Sequence, residues 1–278
     1  MTLAPTGAIV EEARAAGRGV GAFNVVQLEH AEAIVAGAEA AGAPVILQIS
    51  HNCVRYHGSL EPLGAATLAA ARQAAVPVAV HLDHAETAEL ALAAVELGFT
   101  SVMFDASSLP YDDNVAATRE VATACRARGA WVEAELGEIG GKGGAHRPGV
   151  RTDPEEAAAF VEATGVDALA VAVGTSHAMV TQKATLDFDL IAALRKSVPV
   201  PLVLHGSSGV PDADLVRAVD AGLTKINIAT RLNTAFTRAV RAALAADPDL
   251  VDPRRYLAPA RDAVTAEVTA LLRLLTCR

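Results

Sequence analysis

The stretch "VPVAVHLDH" (residues 76–84) decides how the fold is interpreted. It begins with β-branched and small apolar residues and ends abruptly in His81, Asp83 and His84. A near-continuous apolar run of this kind is typical of a strand buried on both faces, as in a parallel sheet. Its polar end has two explanations. It is either a hydrogen-bonded core cluster or a metal ligand beside an acid–base group, and the second needs partners elsewhere in the chain.

Similar apolar runs recur along the chain at roughly even spacing, and a helical pattern such as "TAELALAAVELG" follows each of them. The other runs cover residues 19–25, 44–50, 99–107, 130–137, 167–174, 200–209 and 224–230. Eight βα units predict an α/β fold, a (β/α)8 TIM barrel, as a single domain over residues 1–278. A doubly wound open sheet is the alternative, but it predicts a glycine-rich fingerprint after the first strand, and "AFNVVQLEH" has none.

Helix-end signals support this division. In "TDPEEA" (152–157), Asp153 is a candidate N-cap, Pro154 fits the first helical position, and acids fill the first turn. "VPDADLV" (210–216) repeats the pattern, and glycines such as Gly42 and Gly165 stand where helices should end. The tail "DPRRYLAPARDAVTAEVTALLRLL" predicts an additional C-terminal helix.

Composition restricts the class of protein. Hydrophobic residues make up 52% of the 278 residues, which is enough for a large core. The net charge of −9 argues against a nucleic-acid partner. The sequence has no signal-peptide pattern and no long uncharged apolar run, so we expect neither secretion nor a membrane span. Three cysteines without metal-like spacing indicate reduced thiols and a cytoplasmic location.

In a barrel of this type, the carboxyl ends of the strands form one rim, and catalysis takes place there. The residues predicted at those ends are Asn24, Ser50, Asp83, His84, Asp105, Glu135, His177, His205 and Asn227. The third, sixth and seventh strands each bring a histidine to the rim, and three imidazoles with one open position suit catalytic zinc. Any one of these histidines alone could equally be a hydrogen-bonded structural residue.

Two loops at the same rim predict an anion site. "HGSSG" places Gly206, Ser207 and Ser208 after the seventh strand, and "NIAT" (227–230) leads from the eighth strand into a helix. Loops after strands seven and eight commonly bind phosphate through backbone N–H groups and a helix N-terminus. "VGTSH" adds Gly174 beside His177. Ordinary turns are the alternative.

Taken together, these segments resemble the class II, metal-dependent ketose-bisphosphate aldolases, nearly end to end. The matching motifs are "GAFNV", "HLDH", "DASSLP", "EAELGEIGG", "GTSH", "PLVLHGSSGVPD", "KINIAT" and "DPRRYLAPAR". The resemblance implies reversible cleavage of fructose or tagatose 1,6-bisphosphate to dihydroxyacetone phosphate and an aldehyde such as glyceraldehyde 3-phosphate, through a zinc-stabilised enediolate. Another phosphorylated keto-sugar or keto-acid, such as 6-phospho-5-dehydro-2-deoxygluconate, is an alternative substrate. A non-catalytic accessory subunit is a further alternative.

The resemblance also implies roles for individual residues. His84, His177 and His205 would bind Zn²⁺, Glu135 would contact a displaced metal position, and Asp83 would be the acid–base group. The phosphate-binding segments would include Gly174, Gly206, Ser207, Ser208, Asn227, Ala229 and Thr230. Asn24 would assist the carbanion, and Ser50 would touch the distal phosphate. A monovalent cation (Na⁺ or K⁺) near the phosphate loops is usual in the family. We also expect a homodimer or homotetramer. For Asp83, the alternative is a residue that only orients an imidazole.

Three departures from the family pattern leave the aldehyde half of the substrate open. After the fifth strand, Lys142, His146 and Arg147 stand where relatives carry an acidic pair, and Glu138 is a weaker replacement. Ala229 replaces an aspartate of fructose-bisphosphate enzymes and matches tagatose-type members, which should alter discrimination between hydroxyl epimers. The third departure is "SHAMVTQK" (176–183), where relatives commonly show a glycine after the histidine and a nearby lysine. Beside the second strand, "SHNCVRYHG" (50–58) is also unusual. Its Arg55 and His57 are either contacts to the distal end of the substrate or surface residues.

Overall fold

The computed structural model describes residues 3–136, 151–176 and 181–276. Eight parallel strands close into a barrel in the order of the sequence, β1 to β8, which confirms the predicted TIM barrel. The strands are β1 Val20–Asn24, β2 Val45–Ser50, β3 Val78–Ala85, β4 Ser101–Phe104, β5 Trp131–Leu136, β6 Ala168–Val171, β7 Leu202–Leu204 and β8 Leu223–Ile228. Each lies within or beside one of the eight predicted runs. That the whole chain forms a single domain stays a prediction.

A helix follows every strand, as predicted, and the C-terminal helix is confirmed. The helices are α1 Thr6–Ala15, α2 Leu28–Ala41, α3 His51–His57, α4 Glu61–Gln73, α5 Ala88–Leu97, α6 Tyr111–Arg126, α7 Pro154–Thr164, α8 Phe188–Ser197, α9 Asp212–Ala221, α10 Thr230–Ala246 and α11 Pro253–Thr276. A short 3-10 helix, Ser207–Gly209, follows β7. The short helix α3 and the leading helix α1 were not predicted.

Helix α1 closes the amino end of the barrel. Its Ile9 and Val10 are buried in one apolar cluster with Ala22, Ile46 and Ala79, which lie near the beginnings of three strands. Further along the barrel axis, Met103, Ala168, Ala170 and Val203 form a second apolar cluster. Because this end is filled and apolar, polar chemistry is confined to the opposite, carboxyl end.

The helix-end signals are largely confirmed. Asp153 Oδ1 accepts hydrogen bonds from the backbone N–H groups of Glu155 (2.9 Å) and Glu156 (3.0 Å), and α7 ends at Gly165 in the left-handed conformation. The similar helix start predicted for residues 210–216 was wrong in detail. Pro211 itself occupies the N-cap position of α9 and has no side-chain oxygen to offer, so no side-chain hydrogen bond caps that helix.

Two observations bear on the environment of the chain. Cys53 and Cys125 are buried free thiols, as the sequence indicated. Within the part of the chain that the structure describes, none of the helices combines the length and the apolar character that a membrane span requires.

His30 on α2 gives the fold an acid-sensitive position. Its ring is 3% exposed, stacks on Phe236 with ring centroids 4.9 Å apart, and neither nitrogen has a hydrogen-bond partner among the described residues. Burial lowers the pKa of His30 from 6.5 to about 4, against a smaller opposing effect of Glu29. Below about pH 6.5 the unfolded chain therefore gains a proton at this position that the folded chain does not.

We expect the free energy of unfolding to fall as the pH drops from about 6.5 towards 4. His30→Leu should remove about 2 kcal/mol of the loss between about pH 7 and pH 5. Denaturant unfolding of both proteins at the two pH values measures this. Equal pH dependence in the two proteins would contradict the role given to His30.

Candidate active site

The end of β3 carries an irregularity that brings two neighbouring side chains to the same side. His81 and Asp83 share one face of the strand by alternation, and that alternation would turn His84 away. The pairing of β3 with β4 shifts register between Leu82 and Ala85, and His84 has φ 53°. No other described non-glycine residue has a positive φ. This bulge re-aims His84 towards the barrel mouth, and strained backbone of this kind is concentrated at functional sites.

The imidazoles of His84 and His205 meet at the barrel mouth. In each ring, the nitrogen that points away from the other ring lies beside a carboxylate. His84 Nδ1 lies 2.7 Å from Asp105 Oδ2, and His205 Nε2 lies 3.1 Å from Glu133 Oε1. An ionised carboxylate only accepts hydrogen bonds, so each carboxylate favours the tautomer with its proton on this nitrogen. The remaining nitrogens, His84 Nε2 and His205 Nδ1, face each other at 3.0 Å. With the favoured tautomers, two lone pairs face each other at this distance, an arrangement that fits a divalent metal ion.

Carboxylates surround this pair of nitrogens. Asp83 Oδ1 lies 3.8 Å from His84 Nε2, and Glu135 Oε2 lies 3.6 Å from His205 Nδ1. Two overlapping groups have ligand atoms within 4.8 Å of one another: Asp83, His84 and His205, and His84, Asp105 and Glu135. The structure thus brings together two of the three predicted histidines and Glu135. The third histidine, His177, lies outside the described residues.

Asp83 is a buried, ionised carboxylate at the centre of the site. It is 4% exposed, and the Asn227 Nδ2 group lies 3.4 Å from its Oδ1. Burial alone would raise the pKa of Asp83, but the neighbouring His84, His205 and Lys225 hold that pKa well below its usual range. At neutral pH this buried group is therefore a proton acceptor.

The predicted phosphate-binding loops, which follow β6, β7 and β8, contact one another and form one continuous surface, the loop wall. The Ser207 hydroxyl donates to the Asn227 carbonyl, and the Arg231 backbone N–H donates to Ser208 Oγ at 3.2 Å. The Thr175 hydroxyl, from the loop after β6, donates to the His205 carbonyl at 2.7 Å. Helix α10 begins at Thr230, directly after Ala229, so its N-terminal amides belong to the same wall.

Two glycines permit this close approach of loops. A Cβ atom on Gly206 (φ 66°) would lie 2.5 Å from the Ser176 carbonyl oxygen, and one on Gly174 (φ 116°) would lie 2.3 Å from the Thr185 carbonyl oxygen. Both obstacles are backbone, and both φ values disfavour any side chain. The loops can be this close only because both positions are glycine.

We expect Gly206→Ala to raise KM for a phosphorylated substrate at least tenfold, because the wall must open. The folded fraction from circular dichroism separates this effect from unfolding. Gly42→Ala is the matched control, because Gly42 has a similar φ of 63° and a Cβ atom there would meet nothing within 4 Å. An unchanged KM in folded Gly206→Ala would contradict the assignment.

The remaining candidates lie around the rim. Asn24 Oδ1 accepts a hydrogen bond from Gln48 Nε2 at 2.8 Å, and Ser50 Oγ caps α3 by accepting from the Cys53 N–H. Arg55 on α3 is paired with Glu86 at 2.6 Å. His57 on the same helix is exposed, with a ring nitrogen 2.8 Å from the Val26 carbonyl. Lys142, His146, Arg147 and Glu138 lie outside the described residues.

Sequence reasoning placed Asp105 at the rim without a role and passed over Glu133, Gln48 and Lys225. Asp105 contacts His84, Glu133 contacts His205, Gln48 contacts Asn24, and Lys225 contacts Glu133. Burial alone would raise the pKa of Glu133, but Lys225 and the hydrogen bond from His205 lower it to about 2. His81 is fully buried, with Nδ1 2.8 Å from Ser101 Oγ, and these contacts give it a structural role deeper in the barrel. The signal that could have found Glu133 was a charged residue inside an apolar strand, two positions before a rim residue.

The fold and the cluster around His84 and His205 define a class of protein. It is a TIM barrel whose carboxyl rim carries paired imidazoles, buried carboxylates and loops of the kind that bind anions. Comparison with known proteins gives the family. The family described as "Fructose-bisphosphate aldolase class-II" matches residues 4–278. The chain belongs to this family and is a carbon–carbon lyase of the aldolase type, and the family is metal-dependent.

Individual relatives agree. The fructose-bisphosphate aldolase of Thermus caldophilus is 41% identical over 293 residues, covering 96% of this chain and 95% of its own. The fructose-bisphosphate aldolase of Geobacillus stearothermophilus is 40% identical, covering 98% of this chain and 96% of its own. Among solved structures, the YdjI aldolase from Escherichia coli K12 is 32% identical with a TM-score of 0.86, covering 98% of this chain and 97% of its own.

Proposed function

We propose that this chain reversibly cleaves fructose 1,6-bisphosphate to dihydroxyacetone phosphate and glyceraldehyde 3-phosphate. The observation that carries the proposal is the pair of imidazole nitrogens of His84 and His205, 3.0 Å apart beside the ionised carboxylate of Asp83. This arrangement stands in a chain whose relatives, at about 40% identity, are named fructose-bisphosphate aldolases.

We propose Zn²⁺ as the resident ion, held by His84 Nε2, His205 Nδ1 and a nitrogen of His177. Imidazole nitrogens are ligands that zinc favours, and three of them leave a position open. When bound, the ion supplies a Lewis acid for the ketose carbonyl oxygen, so no lysine Schiff base is needed. Glu135 is proposed as a ligand of a displaced ion position. A monovalent cation, Na⁺ or K⁺, beside the phosphate loops stays a prediction.

Asp83 is proposed as the group that moves the proton. In cleavage, its carboxylate accepts the proton of the C4 hydroxyl while the C3–C4 bond breaks and the C4 carbonyl forms. The electron pair of that bond stays with the three-carbon ketone fragment. In condensation, Asp83 returns the proton to the new C4 oxygen. Asn227, whose amide lies 3.4 Å from Asp83 Oδ1, holds the carboxylate in place.

The loop wall is proposed to bind the phosphate of the dihydroxyacetone half. Its groups are Gly174, Gly206, Ser207, Ser208, Asn227, Ala229 and Thr230, with the first amides of α10 facing the anion. Asn24 is proposed to assist the three-carbon intermediate, and Ser50 to contact the distal phosphate. A chain with a net charge of −9 needs such local dipoles to hold a bisphosphate.

A coupled assay for dihydroxyacetone phosphate tests the function. We expect turnover of fructose 1,6-bisphosphate that is lost on chelation and restored by added zinc. The non-catalytic alternative predicts no turnover at any zinc concentration. Activity unaffected by an effective chelator, with no metal left in the protein, would contradict the metal assignment.

Tagatose 1,6-bisphosphate is a second candidate substrate, favoured by Ala229. This residue precedes α10 and offers no side-chain hydrogen bond at that point of the rim. A site without the polar partner loses its means of discriminating between hydroxyl epimers. The ratio of kcat/KM for the two bisphosphates, measured in wild type and in Ala229→Asp, decides between the candidates. A cytoplasmic location and a homodimer or homotetramer stay predictions, and analytical ultracentrifugation tests the second.

A further inference from the structure

A buried ion pair lies directly beneath the paired imidazoles. Lys225 on β8 and Glu133 on β5 are both fully buried, and Lys225 Nζ lies 2.8 Å from Glu133 Oε2. The other carboxylate oxygen, Oε1, lies 3.1 Å from His205 Nε2. Burying two charges is costly, and hydrophobic residues of similar volume would often be equally stable here. Stability alone therefore gives no reason for a charged pair at this position.

His205 Nε2 has a second neighbour that competes with Glu133. Asn227 Nδ2 lies 3.1 Å from the same ring nitrogen, and its amide nitrogen also faces the acceptor-only Asp83 Oδ1. An amide N–H can only donate, so by itself it would favour a ring whose Nε2 is an acceptor and whose proton sits on Nδ1. The Glu133 carboxylate can only accept, so it favours the opposite tautomer.

We propose that Glu133 and Lys225 are positioning residues that fix His205 in the tautomer with its proton on Nε2. Lys225 occupies one carboxylate oxygen and thereby directs the other to His205. His205 Nδ1 then carries the lone pair that faces His84 Nε2. This inference rests on the proposed function only for the identity of the metal. The tautomer of the His205 ring is a property of the metal-free protein as well.

Glu133→Gln and the double variant Glu133→Gln/Lys225→Met separate positioning from stability. In Glu133→Gln, Lys225 takes the amide oxygen, so the NH₂ group faces His205 and the proton moves to Nδ1. We expect zinc affinity to fall about 10- to 100-fold. In the double variant the amide is free to turn its oxygen to His205, and zinc affinity should recover to within about threefold of wild type.

Two readouts are needed. Zinc dissociation constants come from chelator competition with folded protein, and the ¹⁵N chemical shifts of the His205 ring report the tautomer in the metal-free protein. Thr164→Val is the control, because it removes a buried hydrogen bond to the Phe160 carbonyl far from the site. It should change neither readout.

The outcomes are distinct. A tautomer that is unchanged in Glu133→Gln would overturn the proposal, and so would an equal loss of zinc affinity in the single and double variants. If wild-type protein binds no zinc, the proposed metal site fails, while the ring ¹⁵N shifts still decide whether Glu133 sets the tautomer. If Glu133→Gln does not fold, the double variant carries the test, since it leaves no buried charge at positions 133 and 225. Its ring should then keep the wild-type tautomer, and a proton on Nδ1 would overturn the proposal.

Discussion

Replacing Asp83 by asparagine should lower kcat by about 10²- to 10⁴-fold while the protein still binds its metal. The amide keeps the shape of the side chain and can still contact Asn227, but it cannot accept the proton of the C4 hydroxyl. Asp83 Oδ1 lies 3.8 Å from His84 Nε2, but Asp83 is not among the three histidines proposed as zinc ligands. The zinc dissociation constant should therefore change by no more than about threefold.

The measurement pairs the coupled assay with metal analysis of the purified variant. Asp83→Ala is a useful companion, because it removes the carboxylate without supplying an amide donor. Wild-type turnover in metal-loaded Asp83→Asn would remove this residue from the proton transfer. Loss of metal together with activity would assign it instead to the metal site.

Replacing His205 by alanine should abolish metal binding and turnover together. Outer residues that only orient a ligand typically cost 10- to 100-fold in metal affinity, so loss of a proposed ligand should cost more than about 100-fold. His205 is fully buried, and its Nδ1 is one of the two facing nitrogens. His30→Leu is the matched control, since it removes a buried imidazole that has no hydrogen-bond partner among the described residues.

Zinc content after dialysis and turnover at saturating zinc measure this effect. The two quantities should fall in parallel for His205→Ala and stay at wild-type values for His30→Leu. Stoichiometric zinc retained by folded His205→Ala would show that the ion is held by other groups.

The barrel could be predicted because a strand that is buried on both faces has an almost continuous apolar sequence. Capping residues such as Asp153 indicate where the helices between the strands begin. Helix α1 was missed because a short amphipathic helix before the first strand has no counterpart in the repeating βα pattern. Its role is apparent only from the contacts of Ile9 and Val10 with the interior of the barrel.

The sequence predicted rim residues that the structure brings together, namely Asp83, His84, His205 and Glu135, but it did not predict their geometry. Alternation along β3 should have turned His84 away from Asp83, and only the bulge with φ 53° explains how both serve one site. Glu133 and Lys225 were passed over because each looks like an isolated charge in its own strand. The role of these two residues depends on a contact between β5 and β8, which no local sequence pattern indicates.

A crystal of zinc-loaded protein, recorded on both sides of the zinc absorption edge, provides the most direct measurement. We expect an anomalous peak at about 2.0–2.1 Å from both His84 Nε2 and His205 Nδ1, with His177 completing the set. A peak elsewhere, or imidazoles that keep their direct contact with no peak between them in zinc-loaded crystals, would contradict the proposed metal site.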